Sequence, residues 1–393
     1  MNRAQQHVLI VAHGFRKENV PLQPWRYLYE LAARLAVDAK VTVLTGGAQG
    51  LGKETIGGIE VVSTTNLRVF RQRALNEEIA RIAPTEVLWS ITPMSVLLYA
   101  AIKRVAACKV GVITAPLYRF REVVFAIRQG VPFVEYRSLF FQSLIPKSLF
   151  RAFIPAVGID RVIVQSRANR DALGVTSSKK YSLHVVRVGL DAESKLAPNS
   201  GRLVPSGETF TLLYMGSLKP IRGFNLILDA IRRIQASGVP VRLKVLARGA
   251  TKDECEELVM SKLSLSENVQ IECYPGWLDK AELQSQLQNT DLVLLPFILV
   301  PSDVPITILE SMALGKVVVS TRVDGIPELL HERGVVLERS TPDVLASEIL
   351  RLREDPELLA RLGAQAGDFI ETYPGWDEVG IEAKQIICRP GST

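Results

Sequence analysis

Glu310 sits in a segment, Ile306 to Leu314, that is otherwise almost wholly apolar, and an ionised carboxylate in such company is costly unless something pairs with it. A structural arginine, Arg322 or Arg248, is one candidate partner. A ligand carrying hydroxyl groups is the other, since a glutamate accepts from two vicinal hydroxyls. The surrounding residues favour the ligand: Ser302 or Asp303 can cap the helix, Pro305 is tolerated in its first turn, and Gly315 stops it. Helical side chains lean toward the N-terminus, so Glu310 reaches back to a helix mouth that favours an anion.

Other loops in the second half carry cations at comparable places. After the apolar run TLLYM come Gly216, Ser217, Leu218, Lys219, Pro220, Ile221, Arg222 and Gly223, and then a helical pattern, FNLILDAIRRI. Gly216 allows a tight turn, and Lys219 and Arg222 stand at the mouth of the next helix, an arrangement that suits a pyrophosphate. An ordinary loop with solvated charges is the plain alternative. Arg248 and Gly249 end the run RLKVLA, and Gly276 and Leu278 lie in a Pro-Gly turn against which a nucleobase could rest. In the first half, His13 follows the first strand candidate. It is the histidine best placed for chemistry, although a lone loop histidine is more often structural.

These loops need strands to hold them. Short β-branched runs at Val8–Ala12, Val41–Thr45, Val87–Ser90, Lys109–Thr114, Arg161–Gln165 and His184–Val188 alternate with helical patterns. The alternation restarts after the polar stretch Asp191 to Glu208, with runs at Thr209–Met215, Arg242–Ala247, Val269–Glu272, Leu292–Pro296, Val317–Ser320 and Val335–Leu337. Continuous apolar strands separated by helices predict parallel sheets covered on both faces. The expected architecture is two doubly wound Rossmann-like α/β domains, 1–200 and 205–393, the last helix packing back on the first, with ligands outside the carboxyl ends of the strands.

Composition narrows the classes further. The chain has 393 residues with a formal net charge of +6. Residues 1–200 hold 27 Lys/Arg against 14 Asp/Glu, and residues 201–393 hold 20 against 27, so the halves carry +13 and −7. Opposite signs suggest domains with different partners, the basic half attracting anions. No nucleic-acid motif accompanies that charge. No run reaches the roughly 18 apolar residues of a spanning helix. Cys108, Cys255, Cys273 and Cys388 show no paired spacing, so neither a disulfide framework nor a zinc site is expected, and a reducing cytoplasm fits.

The order and spacing of these features resemble the C-terminal domain of family-4 retaining glycosyltransferases (glycosyl transferases group 1) of the GT-B fold. The family's Gly-Arg-Leu, three residues, Lys-Gly reads GSLKPIRG here, so Ser217 replaces the arginine and Arg222 the lysine. The family's E-x7-E signature ends in LESMALGKVVV, with Glu310 as the second glutamate; GIPEL, PELLARLGAQA and WDEV are also similar. The first glutamate falls on Ser302, and the Gly-Phe-Gly after it becomes Asp303, Val304 and Pro305. Asp303 is the candidate to take over that carboxylate's role one residue later. The family's N-terminal histidine has no counterpart near Pro116 and Leu117.

The resemblance implies a hexosyltransferase without a metal or other cofactor, which moves a sugar from a nucleotide-diphosphate sugar with retention of configuration. Arg222, Lys219, Asp303 and His13 are its catalytic candidates. Gly216, Ser217, Arg248, Gly249, Gly276, Leu278, Ser302, Val304, Pro305 and Glu310 are its donor-binding candidates, Glu310 on the ribose. The acceptor would meet the first domain, where residues 117–155 hold seven of the 13 phenylalanines among six Arg/Lys and two Glu. Interleaved aromatic and basic residues suit an anionic membrane surface and a lipid-linked or polysaccharide acceptor, on a cytoplasmic or peripheral protein. A helical insertion packed on the protein is the alternative. A non-catalytic partner subunit and a sugar-nucleotide epimerase on the same fold are the competing functions.

Overall fold

The computed structural model describes residues 6–46, 52–67, 71–95, 103–105, 107–174, 181–195, 209–264, 266–300 and 302–388. The first domain is built on strands β1 (His7–Val11), β2 (Lys40–Gly46), β3 (Gly52–Ile56), β4 (Ile59–Thr64), β5 (Glu86–Ser90), β6 (Cys108–Ile113), β7 (Arg161–Val164) and β8 (Ser182–Val185). They form one sheet in the order β3-β4-β2-β1-β5-β6-β7-β8. The second sheet has the order β11-β10-β9-β12-β13-β14. Its strands are β9 (Phe210–Gly216), β10 (Val241–Ala247), β11 (Val269–Pro275), β12 (Leu292–Leu295), β13 (Val317–Thr321) and β14 (Val335–Leu337). Helices lie between most strands, and β1 is buried at every position, as a parallel strand covered on both faces requires. Among the described residues, no helix is long and apolar enough to cross a membrane.

One edge departs from the all-parallel expectation. β3 and β4 pair antiparallel with Ile56 opposite Ile59, joined by Gly57 and Gly58 at φ 55° and 83°. Two successive left-handed residues make the tight hairpin turn that Gly-Gly favours, and this signal in the string TIGGIE is absent from the strand pattern read above. The cysteines also correct the sequence reading. Cys255, in the helix Lys252–Lys262, and Cys273, on β11, are joined as a disulfide, with Cα atoms 6.2 Å apart. Their separation of 18 residues spans one helix and the strand it packs beside, so fold contact rather than spacing brings them together.

The expected boundary falls at 196–208, which lies outside the described residues. The last helix, Trp376–Ile387, returns to the first domain. Trp376 stacks tilted on Tyr27 at 6.2 Å, Arg34 Nη2 lies 3.0 Å from Asp377, and Arg161 Nη1 donates to the Ile386 carbonyl at 2.5 Å. The chain therefore passes twice between the domains, and the two passages pair: Leu190 N–H donates to the Pro374 carbonyl at 3.1 Å, bridging Leu190 to Gly375. One apolar core runs through this junction, from Val8 and Tyr27 to Leu213, Val293 and Met312.

The segment 117–155 forms the helices Phe120–Arg128, Phe133–Ser143 and Lys147–Ala156. Val123, Ala126, Tyr136 and Leu139 are buried in the same core cluster as Phe224 and Ile227 of the second domain. The outward side keeps Phe120, Phe125, Phe133 and Phe141 between 38% and 49% exposed. The segment is thus a packed interdomain element with an aromatic outer face.

Gly189 has no room for a side chain, since a Cβ there would lie 2.7 Å from Trp376 Cδ2 and 2.8 Å from its Cα. Gly189→Ala must push the two passages apart, and we expect a loss of about 1–3 kcal/mol, the usual cost of overpacking. A urea midpoint equal to that of the parent protein would contradict this account of the junction.

Candidate active site

Both sheets reverse their winding at one strand, β1/β5 in the first and β9/β12 in the second, and a crevice opens outside the carboxyl ends at such a point. A cavity of about 390 Å³ lies there between the domains. The first domain contributes Gln23, Trp25 and Arg26 from the start of the helix Trp25–Leu35, and the crossing segment contributes Asp191 and Trp376. Arg222, Arg248, Ser302, Pro305 and Glu310 line it from the second domain.

The loop after β9 is held by contacts that only glycine allows. Gly223, at φ 81°, begins the helix Phe224–Ala236, and a Cβ on it would sit 1.9 Å from the Pro296 carbonyl oxygen. This close approach sets Arg222 beside the end of β12. Its guanidinium lies 5.4 Å from the centroid of Phe297, and that of Arg248 lies 4.1 Å from the centroid of Trp277. Neither guanidinium has an ion-pair partner among the described residues. Burial lowers the proton affinity of both, and the positive charge of Arg222 lowers that of Arg248 further. Two like charges facing one cavity leave a place for an anion.

Glu310 lies in the helix Ile306–Ala313, whose N-cap is Pro305, so neither Ser302 nor Asp303 caps it. No side chain among the described residues hydrogen-bonds or ion-pairs with its carboxylate. Burial pushes its pKa up, and the charge of Arg248 pulls it partly back. Of the two partners open at the sequence level, Arg322 is exposed and lines a different cavity, and Arg248 acts on Glu310 through its charge without a bond. The carboxylate therefore keeps its acceptor capacity for something in the cavity.

The other candidates fall outside the lining. Lys219 is exposed, and so is Gly249. His13 is exposed too; its carbonyl accepts from Trp25 Nε1 at 2.8 Å. Gly216 ends β9, and the Ser217 carbonyl accepts from the Tyr214 hydroxyl at 2.5 Å. Gly276 has φ 76° and donates its N–H to the Ala247 and Ala250 carbonyls. Leu278 packs half-buried against the core, and Val304 is inside it. Arg26 and Asp191 were not singled out from sequence. Arg26 Nη2 lies 3.0 Å from Asp191 Oδ1, a pairing across 165 positions. Trp376 begins the WDEV string already noted, which was the available signal for it.

Asp303 is a correction. Its side chain does not line the cavity but is buried at the domain interface, where Asn169 Nδ2 donates to it at 3.0 Å. Its backbone N–H donates to the Thr114 carbonyl at 3.0 Å, so the residue is held by the first domain at both ends. It also hydrogen-bonds Asp324, which has φ 47°. Asp303 Oδ1 and Asp324 Oδ2 are both buried and lack a donor, and one proton shared between the two carboxyls would satisfy them. Nearby, the Tyr118 hydroxyl accepts from Val300 N–H at 2.8 Å and donates to its carbonyl at 3.2 Å. The carboxylate one residue after Ser302 points away from the cavity because the chain bends over Ser302–Val304 and docks Asp303 against Asn169 and Thr114 of the first domain.

Burial raises the pKa of both carboxyls, and the charge of Asp303 raises that of Asp324 further. The folded state then binds a proton that the unfolded state releases in the ordinary aspartate range, so the pair's contribution is complete below that range and is lost as pH rises through the folded values. Asp324→Asn supplies the donor permanently and tolerates a left-handed backbone. We expect its melting temperature to match the parent's near about pH 4 and to exceed it near about pH 8; equal pH profiles would refute the shared proton.

Residues 209–355 match the family model described as Glycosyl transferases group 1. The chain is 26% identical over 149 residues to the putative colanic acid biosynthesis glycosyltransferase WcaL of Salmonella typhimurium, covering 36% of each chain. It is 25% identical over 226 residues to the MMP alpha-(1->4)-mannosyltransferase of Mycolicibacterium hassiacum, covering 57% of this chain and 52% of that one. The matches thus span about a third to about a half of these relatives' length. Among solved structures, the sucrose-phosphate synthase of Thermosynechococcus elongatus aligns with a TM-score of 0.67 at 16% identity, over 97% of this chain and 98% of that one. Anabaena Alr3699/HepE, solved in complex with UDP and glucose, aligns with a TM-score of 0.66 at 16% identity, over 98% and 99%. The chain has the GT-B fold, and residues 209–355 are similar to the glycosyl transferases group 1 domain.

Proposed function

We propose that this chain transfers a hexosyl group from a nucleotide-diphosphate sugar to a glycan or lipid-linked acceptor, with retention of configuration. The observation that carries this reading is one cavity lined by two arginines without ion-pair partners and one half-buried carboxylate to which no protein group is bonded. The diphosphate lies between Arg222 and Arg248, the ribose hydroxyls donate to Glu310, and the base rests beside the Arg248–Trp277 stack. The bond between the anomeric carbon and the diphosphate oxygen breaks with its electron pair leaving on the diphosphate. The acceptor hydroxyl oxygen bonds to that carbon, and its proton passes to the departing phosphate oxygen. The two guanidiniums stabilise the charge that develops there, a role that needs no metal ion. The HepE complex with UDP supports the choice of donor class.

The acceptor side belongs to the first domain. The exposed Phe120, Phe133 and Phe141, with Arg121, Arg128 and Arg137 exposed among them, favour a peripheral position on an anionic membrane. One observation favours a second reading, a non-catalytic GT-B partner subunit. Ser302 replaces a carboxylate in the cavity wall, while Asp303 is committed to the domain interface.

Two variants separate these readings. Arg222→Ala is expected to bind donor weakly and to lose about 100-fold or more in turnover, since removing one donor to a developing anion typically costs that much. Glu310→Ala is expected to lose donor binding while remaining folded, because it removes a half-buried charge that no protein group satisfies. Titrations with UDP-, GDP- and ADP-sugars read the binding, and release of the nucleoside diphosphate with an acceptor present reads transfer. Donor binding without transfer or hydrolysis would favour the partner-subunit reading; undiminished donor affinity in Glu310→Ala would sink the site assignment.

A further inference from the structure

A second and larger cavity, of about 820 Å³, lies between the domains on the far side of the Asp303–Asp324 pair. Tyr118 separates it from the first cavity, since its hydroxyl is tied to Val300 on both bonds. The two cavities have no lining residue in common.

The lining combines two chemistries. Its floor is apolar: Leu117, Ile298, Leu299 and Leu337 are each 5% exposed or less. Its rim carries five cations, Arg119, Arg121, Lys147, Arg322 and Arg339, drawn from both domains. None of their side chains has an ion-pair partner among the described residues. Lys147 is half-buried, and burial lowers its pKa, an effect that the charge of Glu122 partly offsets without a bonded ion pair.

The acidic residues in the lining offset this charge only in part. Glu122 Oε2 accepts the Arg119 backbone N–H at 2.6 Å, and Asp171 is bonded to Arg170 at 3.1 Å. Asp324 is the partner of Asp303, which leaves Glu338 at the rim. An aromatic cluster lies on the neighbouring helices. Phe125 lines the cavity on the helix that carries Phe120, and Phe120 packs on Phe140 at 5.7 Å; Phe140 in turn packs on Phe133 and Phe141 at 5.6 and 5.7 Å.

We propose that this cavity holds the phosphate or diphosphate head group of an amphiphilic ligand, with Lys147, Arg322 and Arg339 on the phosphate and the apolar chain leaving along the phenylalanines. A free phosphate satisfies only the rim and a neutral lipid only the floor; a phosphorylated amphiphile satisfies both. The inference extends the transfer reading to the acceptor, which would be carried on such a phosphate, but the binding itself does not depend on the donor cavity.

Farnesyl diphosphate is a suitable probe, with farnesol and inorganic pyrophosphate as its two halves. Titration calorimetry on the full chain is expected to show binding of farnesyl diphosphate at least about tenfold tighter than of either half. Lys147→Glu and Arg322→Glu are each expected to weaken it by about tenfold or more, the scale of one charge-assisted hydrogen bond. Circular dichroism checks that both variants are folded, and a parallel titration with UDP is expected to give parent affinity in both. Farnesyl diphosphate binding that is absent, or unchanged in both folded variants, overturns the proposal. Binding of pyrophosphate as tight as that of farnesyl diphosphate overturns the amphiphile in favour of a free phosphate. Retained binding to phosphatidylglycerol vesicles without farnesyl diphosphate binding overturns it in favour of a membrane surface. Loss of UDP binding in Glu310→Ala, or its persistence, bears on the donor reading alone.

Discussion

The interior of this protein holds charges that its own residues do not neutralise. Arg222 and Arg248 face the same cavity with aromatic rings behind them and no carboxylate bonded to them, and Glu310 faces it with no donor. Burying a charge without a partner is unfavourable, so the surrounding structure must be rigid enough to maintain the arrangement. It is: Gly223 against the Pro296 carbonyl fixes one loop, and the helix Ile306–Ala313, buried on most of its surface, fixes the other. The stability given up there is offset by the apolar core that runs through both domains.

The domain junction serves the same end. If the two sheets moved freely, the cavity would open to water and the arginines would be solvated. The structure instead joins the domains at several separate places. The chain passages pair at Leu190 and Gly375, the last helix returns to the first domain, and Glu328 accepts from Arg167 N–H and from Arg187. Asp303 and Tyr118 close the interior of the interface. The cost of this closure is visible in the buried carboxyl pair, which is neutral enough to remain buried only while it shares a proton.

The helices of 117–155 show how composition and position combine. Their apolar inner faces pack with the second domain, and Glu135 accepts the Ile221 N–H at 3.0 Å, beside the loop that carries Arg222. Whatever touches the outer aromatic face is therefore mechanically close to that loop. The sequence-level alternatives, a packed insertion and an amphiphilic surface, are opposite faces of the same helices.

The sequence alone determined the strands other than β3 and β4 and their alternation with helices, because continuous β-branched runs and glycine stops act locally and leave a direct trace. It also singled out Glu310, since a charge in an apolar run is conspicuous before folding, and Arg222, since a cation beside a glycine at a helix mouth suits an anion. Tertiary structure decided what depends on residues far apart in the chain. It joined Cys255 to Cys273 and brought Arg26 to Asp191 across 165 positions. It also turned Asp303 from the cavity to the interface: the chain bends there, and which residue meets Asn169 depends on how two sheets dock rather than on any local pattern.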